Sequence, residues 1–381
     1  MSSLAFYVHI PYCVRRCGYC DFNTYTPAEL SISSDLSGTS KSYIDLLLRE
    51  IEFARETSEA TDVPTIFFGG GTPTLMESKD LGRVIAFIGS NFELAPSAEI
   101  TTEANPDTVT KEKLTELRIA GFNRISFGMQ SAVPHVLEAL DRTHNPENVL
   151  KATTWAREVG FNEVSVDLIY GTAGESMSDW ELTVDTALAL PVTHISAYAL
   201  IVEKGTKLGA AVKRGEVVMP EDDQTADKYL LADEKFNSAG FTWYELSNWS
   251  KPGSECRHNI AYWNGANWWG AGAGAHSHID GRRFWNVKHP AAYAQRILGS
   301  GSAMADQEIL TDSQKRSEEI MLQIRLASGI KRSALTLAEE SSLITYLEDD
   351  HLMSAAWEQG SVVLSSKGRL IADRIVREIL L

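Results

Sequence analysis

The amino-acid sequence predicts an α/β protein in which roughly the first 215 residues form a parallel β-sheet flanked by helices. Short apolar runs recur along this part of the chain, and a helical pattern follows each of them. Small polar and glycine residues stand directly after several of these runs. Alternation of this kind builds right-handed βαβ units. Six units make either an incomplete (β/α) barrel or a doubly wound sheet, and spacing alone leaves both open.

The predicted strands and helices follow one another in a regular order. The strands are residues 4–10, 65–68, 99–103, 124–128, 164–169 and 194–199. The helices are residues 41–59, 78–91, 110–120, 132–140, 146–159 and 178–190. Because residues 31–40 are small and polar, they are predicted to form an exposed, mobile loop before the first helix.

The alternation of strands and helices fades after residue 215. Residues 216–300 contain a segment rich in Trp, Tyr, Gly and His, and we interpret them as an extension of the sheet domain. Residues 301–381 contain amphipathic patterns and one short apolar run at 361–364, which predict a small, mainly helical C-terminal domain. The sequence therefore predicts three parts, residues 1–215, 216–300 and 301–381.

The charge and the apolar patterning of the chain exclude several classes of protein. The 381 residues include 51 acidic and 35 basic side chains, which gives a formal net charge of −16. Since proteins that bind duplex nucleic acid need a basic face, we predict no nucleic-acid partner. No apolar run approaches the roughly 18 residues of a membrane span, and the N-terminus lacks the features of a secretory signal. We therefore expect a soluble, cytoplasmic protein.

Three of the four cysteines lie on the loop that leaves the first predicted strand. Cys13, Cys17 and Cys20 have a C-x3-C-x2-C spacing, whereas Cys256 is distant. A structural zinc site takes four ligands, usually as two separated pairs, and a redox pair is a further alternative. Three thiolates at this spacing suit three irons of a cubane cluster and leave the fourth iron open. The spacing therefore favours a 4Fe-4S cluster.

Glycine and polar residues also follow the later strands. Gly69, Gly70, Gly71 and Thr72 come after the second strand, and glycines there let the backbone turn sharply and approach a ligand. A phosphate loop is the weaker interpretation, because the Lys-Ser/Thr ending is missing. Since the carboxyl ends of parallel strands meet at one edge, we expect these loops and the cysteines to converge.

Four segments together resemble one known family. Residues 7–13 read YVHIPYC, residues 69–74 GGGTPT, residues 126–130 SFGMQ and residues 167–171 DLIYG. They are similar to the HemN/HemW group of the radical S-adenosylmethionine superfamily, which comprises oxygen-independent coproporphyrinogen III oxidases and their haem-chaperone relatives. The resemblance implies a partial (β/α)6 TIM-like barrel with a small C-terminal, mainly helical domain.

The resemblance also implies a site for S-adenosylmethionine beside a cluster held by Cys13, Cys17 and Cys20. Glu103 would accept hydrogen bonds from the methionine ammonium, Arg142 would bind its carboxylate, and Asp167 would accept from the ribose. The full set of residues implied for this ligand is Tyr7, Gly70, Gly71, Thr72, Glu103, Gln130, Arg142 and Asp167. The ordinary alternatives are helix caps for the carboxylates and a surface ion pair for Arg142.

Two features distinguish the branches of this family. The oxidases typically carry a fourth cysteine two residues after the third, where this chain has Phe22. They also have a longer segment before the first strand, whereas this sequence begins six residues before Tyr7. Both differences favour the haem-chaperone branch, with coproporphyrinogen III oxidase activity as the alternative function.

The segment His258-Asn259-Ile260-Ala261-Tyr262-Trp263 matches an H-N-x-x-Y-W motif that the resemblance links to haem. An imidazole can bind haem iron, and Tyr262 and Trp263 can pack against the macrocycle. The alternative is an aromatic core segment with a satisfied histidine. Cys256 is a competing ligand, and His276 and His278 are further candidates at positions where ordinary polar roles are favoured. The implied partners are haem and a haem-acceptor protein, in this family a membrane-associated respiratory haem protein.

Overall fold

The computed structural model describes residues 3–34, 36–143 and 145–380. Its strands are β1 (Ala5–Ile10), β2 (Asp62–Gly70), β3 (Glu93–Ala104), β4 (Arg124–Gln130), β5 (Glu163–Tyr170), β6 (His194–Ala199), β7 (Thr242–Glu245), β8 (Asn248–Ser250), β9 (Trp268–Ala271), β10 (His276–Ile279), β11 (Arg282–Asn286), β12 (Met304–Ile309), β13 (Ile330–Lys331) and β14 (Ser361–Val362).

The helices alternate with the strands in the first half of the chain and dominate its C-terminal end. They are α1 (Pro27–Leu30), α2 (Ser37–Thr57), α3 (Ser78–Asn91), α4 (Lys111–Ala120), α5 (Pro134–Ala139), α6 (Pro146–Glu158), α7 (Met177–Leu188), α8 (Lys207–Lys213), α9 (Asp222–Ser238), α10 (Arg257–Trp263), α11 (Pro290–Ser300), α12 (Asp312–Gln323), α13 (Leu337–Ser342), α14 (Ile344–Glu348), α15 (Ser354–Glu358), α16 (Ser366–Leu370) and α17 (Ala372–Leu380).

Twelve of these strands form one sheet in the order β12-β11-β10-β9-β1-β2-β3-β4-β5-β6-β8-β7. The strands from β9 through β1 to β6 run parallel. Antiparallel strands extend the sheet at both ends, β10 to β12 beyond β9, and β8 and β7 beyond β6. The described sheet therefore ends in two edge strands and does not close, which is the partial barrel that the resemblance implies.

The six predicted strands are β1 to β6, and the six predicted helices correspond to α2 to α7. β9 is an addition, because Trp268–Ala271 pairs in parallel with the other side of β1. The prediction of a mobile loop over residues 31–40 is wrong at its end. α2 begins at Ser37, and Ser40 is buried and donates to the Asp80 carboxylate at 3.0 Å. Asp35 lies outside the described residues.

Alternate residues of β1 face opposite sides of the sheet and thereby position the site. Phe6, Val8 and Ile10 are fully buried in the main hydrophobic core, between the sheet and its helices. Tyr7 and His9 point to the inner face of the sheet, where their side chains are joined at 3.0 Å. Because the side-chain period of a strand is two residues, this one apolar run supplies both the core and the site.

The C-terminal end of the chain has a second hydrophobic core. It is built around Ile320, Ile324, Leu352 and Ile375, while the preceding β12 still belongs to the large sheet. Arg369 of α16 joins this unit to the first: its guanidinium donates to both carboxylate oxygens of Asp233, at 2.9 and 2.6 Å. The division into three domains stays a prediction.

Candidate functional site

A large cavity opens on the inner face of the sheet, at the carboxyl ends of the parallel strands. Its volume is about 780 Å³. All the predicted site residues except Trp263 line it, together with polar residues that the sequence did not single out. The predicted residues that the structure brings together here are Tyr7, Cys13, Cys17, Cys20, Gly70, Gly71, Thr72, Glu103, Gln130, Arg142, Asp167, His258 and Tyr262.

The cysteine loop is held at both of its ends. Cys13 N donates to the carbonyl of Tyr25 at 3.0 Å, which closes the loop on itself. Nε2 of His9 lies 2.9 Å from the carbonyl of Asn23, and since a carbonyl only accepts, that nitrogen carries the proton. The other ring nitrogen of His9 therefore accepts from the Tyr7 hydroxyl. His9 thus links the cysteine loop to the cavity wall, a role that the sequence did not reveal.

The three thiols of Cys13, Cys17 and Cys20 line the mouth of the cavity. Nη1 of Arg142 donates to Sγ of Cys17 at 3.5 Å, and burial raises the pKa of Cys13 to about 11. Among the described residues, no three His, Cys, Asp or Glu side chains are grouped so as to hold a metal ion. Thiolates of a cubane bind three different irons and lie farther apart than the ligands of one ion. Three thiols on one loop beside a guanidinium therefore fit a cluster better than zinc.

The glycine loop after β2 is tightly packed against β1. Gly70 has a φ of 106°, and a Cβ on it would lie 2.3 Å from Cε1 of His9. A Cβ on Gly71 would lie 2.4 Å from the carbonyl oxygen of Tyr12. Side chains at these positions would push the cysteine loop away, which explains the glycines physically. The loop thus leaves backbone groups exposed to the cavity next to the cysteines.

Two half-buried carboxylates face the cavity, and neither forms an ion pair with a described residue. Glu103 accepts from the backbone N–H of Gly70 at 3.1 Å, and Asp167 accepts from the Ser126 hydroxyl at 2.9 Å. Burial, with a contribution from Asp167, raises the pKa of Glu103 to about 8. Burial also raises the pKa of Asp167. Carboxylates that are partly withdrawn from water without a cation beside them favour a positively charged ligand. The wall therefore fits the ammonium and sulfonium groups of S-adenosylmethionine.

Gln130 and Arg142 complete the wall between the carboxylates and the cysteines. Gln130 ends β4 in a left-handed conformation, with a φ of 60°, just after a bulge in its pairing with β5. Nη2 of Arg142 donates to the carbonyl of Gly128 at 2.8 Å. This bond holds the guanidinium between the cysteine loop and the end of β4. The strand end therefore presents one amide and one cation to the cavity.

The floor of the cavity is formed by α10, which contains the H-N-x-x-Y-W segment. The Glu99 carboxylate accepts from the backbone N–H groups of His258 and Arg257, at 2.9 and 3.1 Å. Nη1 of the buried Arg124 lies 3.7 Å from the same carboxylate. These contacts fix the first turn of the helix beneath β3. The sequence identified Glu99 only as the start of a strand, because its partners are distant along the chain.

The structure buries His258, the predicted haem ligand, at the floor of the cavity. The residue is 1% exposed, and its ring stacks on Phe67 with 5.2 Å between centroids. Nδ1 is 2.7 Å from the Thr65 hydroxyl, and Nε2 is 2.9 Å from the Tyr262 hydroxyl. Burial lowers the pKa of His258 to about 3, so the ring is neutral. An iron would reach this imidazole only after a hydroxyl had been displaced, and Trp263 does not line the cavity.

Comparisons with known proteins show the family to which the chain belongs. The sequence profile of the Radical SAM superfamily matches residues 7–187. The chain is 45% identical over 375 residues to "Heme chaperone HemW" of Mycobacterium tuberculosis H37Rv, covering 98% of this chain and 94% of that protein. It is 35% identical to "Heme chaperone HemW" of Bacillus subtilis strain 168, covering 86% and 84% of the two chains. The chain belongs to the HemW family.

A solved structure shows the same fold. Coproporphyrinogen III oxidase (HemN) of Escherichia coli superposes with a TM-score of 0.82 at 22% sequence identity, covering 99% of this chain and 90% of that one. The chain therefore resembles radical SAM proteins in fold as well as in sequence, and this superfamily implies a 4Fe-4S cluster and S-adenosylmethionine. No helix in the described part of the chain has the length and apolarity needed to cross a membrane.

Proposed function

We propose that this protein is a haem chaperone, which binds a 4Fe-4S cluster, S-adenosylmethionine and haem and passes the haem to an acceptor protein. The observation that carries this proposal is the 45% identity to a protein named heme chaperone over 98% of the chain. Similarity of that extent spans the cavity, α10 and the C-terminal helices together.

Cys13, Cys17 and Cys20 are the proposed cluster ligands, and their thiols open on the mouth of the cavity. The cluster and S-adenosylmethionine, when bound, supply one-electron chemistry that side chains lack. The residues of this chain bind and orient: Arg142 offers a planar cation to the methionine carboxylate, and Glu103 accepts from its ammonium. Asp167 accepts from the ribose.

The same wall positions the remaining proposed contacts. Tyr7, whose hydroxyl is fixed by His9, lies beside the ligand, and Gln130 offers its amide to polar groups. The Gly70-Gly71-Thr72 turn presents backbone groups to the ammonium. The raised pKa of Glu103 supports this assignment. The charged form of this carboxylate lacks a neighbouring cation, and a bound ammonium group would stabilise it.

Haem is the cargo in this proposal, and its acceptor is a haem protein, membrane-associated and respiratory in the family that the chain resembles. The experiment loads the purified, cluster-containing protein with haem and mixes it with membrane vesicles that carry a respiratory apo-haem protein. We expect haem absorbance to move from the soluble fraction into the vesicles. Failure of the loaded protein to give up haem to any such vesicles contradicts the proposal.

The alternative function is an oxygen-independent coproporphyrinogen III oxidase, and the fold shared with HemN favours it. Phe22 stands where those oxidases have a fourth cysteine, and its side chain is 64% exposed beside the cysteine loop. We expect no protoporphyrinogen from coproporphyrinogen when cluster, S-adenosylmethionine and reductant are present without oxygen. Stoichiometric conversion would replace the chaperone proposal with the oxidase.

A further inference from the structure

A segment of glycine and alanine lies directly against the cysteine loop. Residues 270–275 read Gly-Ala-Gly-Ala-Gly-Ala and lead out of β9, which pairs in parallel with β1. We name them the glycine–alanine loop. Its three alanines are buried, with exposed fractions of 2% or less. Because the cysteine loop leaves the end of β1, a segment packed at this place affects where the cysteines stand.

The glycines of this loop are required by the closeness of its neighbours. Gly272 has a φ of 112°, and a Cβ on it would lie 2.5 Å from the carbonyl oxygen of His9. Gly274 has a φ of 76°, and a Cβ on it would lie 2.4 Å from Nδ2 of Asn23. A side chain at either position would push its neighbour away. The glycine–alanine loop is therefore in direct contact with β1 and with the cysteine loop.

Hydrogen bonds join the glycine–alanine loop to the chain on both sides of the three cysteines. After the cysteines, Nδ2 of Asn23 donates to the carbonyl of Ala273 at 2.9 Å. Before them, the Tyr43 hydroxyl accepts from the backbone N–H of Ala273 at 2.9 Å and donates to the carbonyl of His9 at 3.0 Å. The carbonyl of Asn23 accepts from Nε2 of His9 and closes this network. A displacement of the glycine–alanine loop would therefore reach both ends of the cysteine loop.

Glu50 of α2 holds the glycine–alanine loop from another side. Its carboxylate accepts from the backbone N–H of Gly272 at 2.8 Å, from Nδ2 of Asn286 at 2.6 Å and from the Tyr293 hydroxyl at 2.6 Å. Nδ2 of Asn286 also donates to the carbonyl of Gly272 at 2.9 Å. Both backbone polar groups of Gly272 are thus fixed by this pair of side chains.

The Glu50 carboxylate is buried without a compensating cation. It is 2% exposed and forms no ion pair with a described residue, and burial raises the pKa of Glu50 to about 7 in spite of the three donors. A buried acid of this kind costs free energy that an apolar side chain would not. Its hydrogen bonds, however, specify a single arrangement of the loop, which apolar packing alone does not do.

We propose that Glu50 is a positioning residue for the iron–sulfur cluster, which holds the cysteine loop in place through the glycine–alanine loop and Asn23. This inference rests on the proposed cluster ligands Cys13, Cys17 and Cys20. Three thiolates must reach three irons of one rigid cubane at the same time, so the binding of the cluster depends on how firmly their loop is held. Glu50 itself binds no iron, because its carboxylate is engaged with Gly272 and its neighbours.

The test is the rate at which a ferrous-iron chelator removes iron from the reconstituted, full-length protein in the absence of oxygen. Wild type, Glu50→Gln and Asp233→Asn are compared. Asp233 is the matched control, because it is also a buried carboxylate but is bonded to Trp249 and Arg369. Both substitutions should lower the unfolding temperature of the cluster-free protein. Only Glu50→Gln should release iron faster, by about tenfold, because an amide has one acceptor oxygen for the three donors.

A second variant tests the route from Glu50 to the cysteines. Asn23→Ala removes the hydrogen bond to Ala273 and leaves Glu50 with its partners. It should also speed up the release of iron. Because the effect of Glu50 passes through Asn23, the combined variant should release iron more slowly than the product of the two single effects predicts. Independent, multiplicative effects overturn the proposed route.

The remaining outcomes separate this inference from the proposed function. A wild-type protein that takes up no cluster overturns the proposed cluster ligands together with the role of Glu50. Equal rates of release in wild type and Glu50→Gln, or an equal acceleration in Asp233→Asn, overturn the role of Glu50 alone. Should Glu50→Gln not fold, Tyr293→Phe removes one donor to the same carboxylate, and a smaller acceleration is expected. An unchanged rate in that variant contradicts the inference.

Discussion

The mouth and the floor of the cavity use similar residues in opposite ways. At the floor, the Glu99 carboxylate accepts from two backbone N–H groups and lies near Arg124, and His258 is bonded at both nitrogens. In the wall next to the mouth, Glu103 has one backbone donor and a raised pKa. At the floor, His258 and the Glu99 carboxylate have hydrogen-bond partners without a ligand, whereas Glu103 in the wall has no cation among the described residues to pair with.

This contrast distinguishes residues that support the structure from residues that bind a ligand. Buried polar groups that are fully hydrogen-bonded hold a structure in one arrangement, and groups that lack partners carry a free-energy cost that a bound ligand offsets. The H-N-x-x-Y-W segment, whose haem-binding role stays a prediction, therefore also supports the wall of the cavity. Substitutions at the floor are expected to act on stability, and substitutions at the mouth on binding.

The largest expected effect is at the mouth. Cys13→Ala, Cys17→Ala and Cys20→Ala should each abolish the broad visible absorption of the reconstituted cluster, because a cubane with one open iron needs all three thiolates. Cys256 is buried near Glu99 at the floor. The matched Cys256→Ala variant should keep its iron and sulfide, and loss of the cluster in that variant would mean that the floor takes part in cluster binding.

The second-largest expected effect is a loss of stability at the floor. Glu99→Gln should lower the free energy of unfolding by about 2–3 kcal/mol, because the helix N–H groups lose a charged acceptor and Arg124 loses a buried partner. Chemical denaturation of the cluster-free protein measures this change. A variant as stable as wild type would show that α10 is held by its apolar contacts alone.

Glu103→Gln should raise the free energy of unfolding, whereas Glu99→Gln lowers it, and the size of this increase should depend on pH. The pKa of Glu103 is about 8 in the folded protein, against an ordinary value of 4.5. The folded state therefore binds more protons between these values, so the wild type loses stability as pH rises from about 4.5 to about 8. The amide that replaces this carboxylate carries no charge, so the variant should be less dependent on pH and more stable at pH 8. It should also bind S-adenosylmethionine more weakly, as measured by calorimetry. If the free energy of unfolding of the variant depends on pH as that of the wild type does, the position of the Glu103 carboxylate does not destabilise its charged form.

The smallest expected effect is that of one hydroxyl at the floor. Tyr262→Phe removes the partner of His258 Nε2 and leaves the rest of α10 in place. The loss of one buried hydrogen bond should cost about 1 kcal/mol in the free energy of unfolding. Thermal unfolding detects this, with Tyr25→Phe as a control at a half-buried tyrosine outside the floor. A large loss of cluster in Tyr262→Phe would contradict the division between floor and mouth.

Much of this arrangement could be predicted from the sequence, and the exceptions have a common cause. Apolar runs predict β1 to β6 because their period and burial are local, and the cysteine loop follows directly from β1. The parallel pairing of Trp268–Ala271 with β1 joins segments far apart in the chain and has no local signal. The same holds for His258, whose Nδ1 is occupied by Thr65, 193 residues away. The motif predicts a haem ligand at His258, which stays a prediction, and the hydrogen bonds at both of its ring nitrogens could not be read from the motif.

The central claim is that the wall of the cavity binds S-adenosylmethionine whereas the floor supports the wall, and a calorimetric titration tests it most directly. S-adenosylmethionine is titrated into the cluster-containing wild type, Glu103→Gln and Tyr262→Phe. Glu103→Gln should bind it at least about tenfold more weakly than the wild type, because an amide carries no charge to attract the ammonium. Tyr262→Phe should keep the wild-type affinity within about twofold, because this hydroxyl engages His258 at the floor. Equal losses of affinity in the two variants would contradict the division between wall and floor.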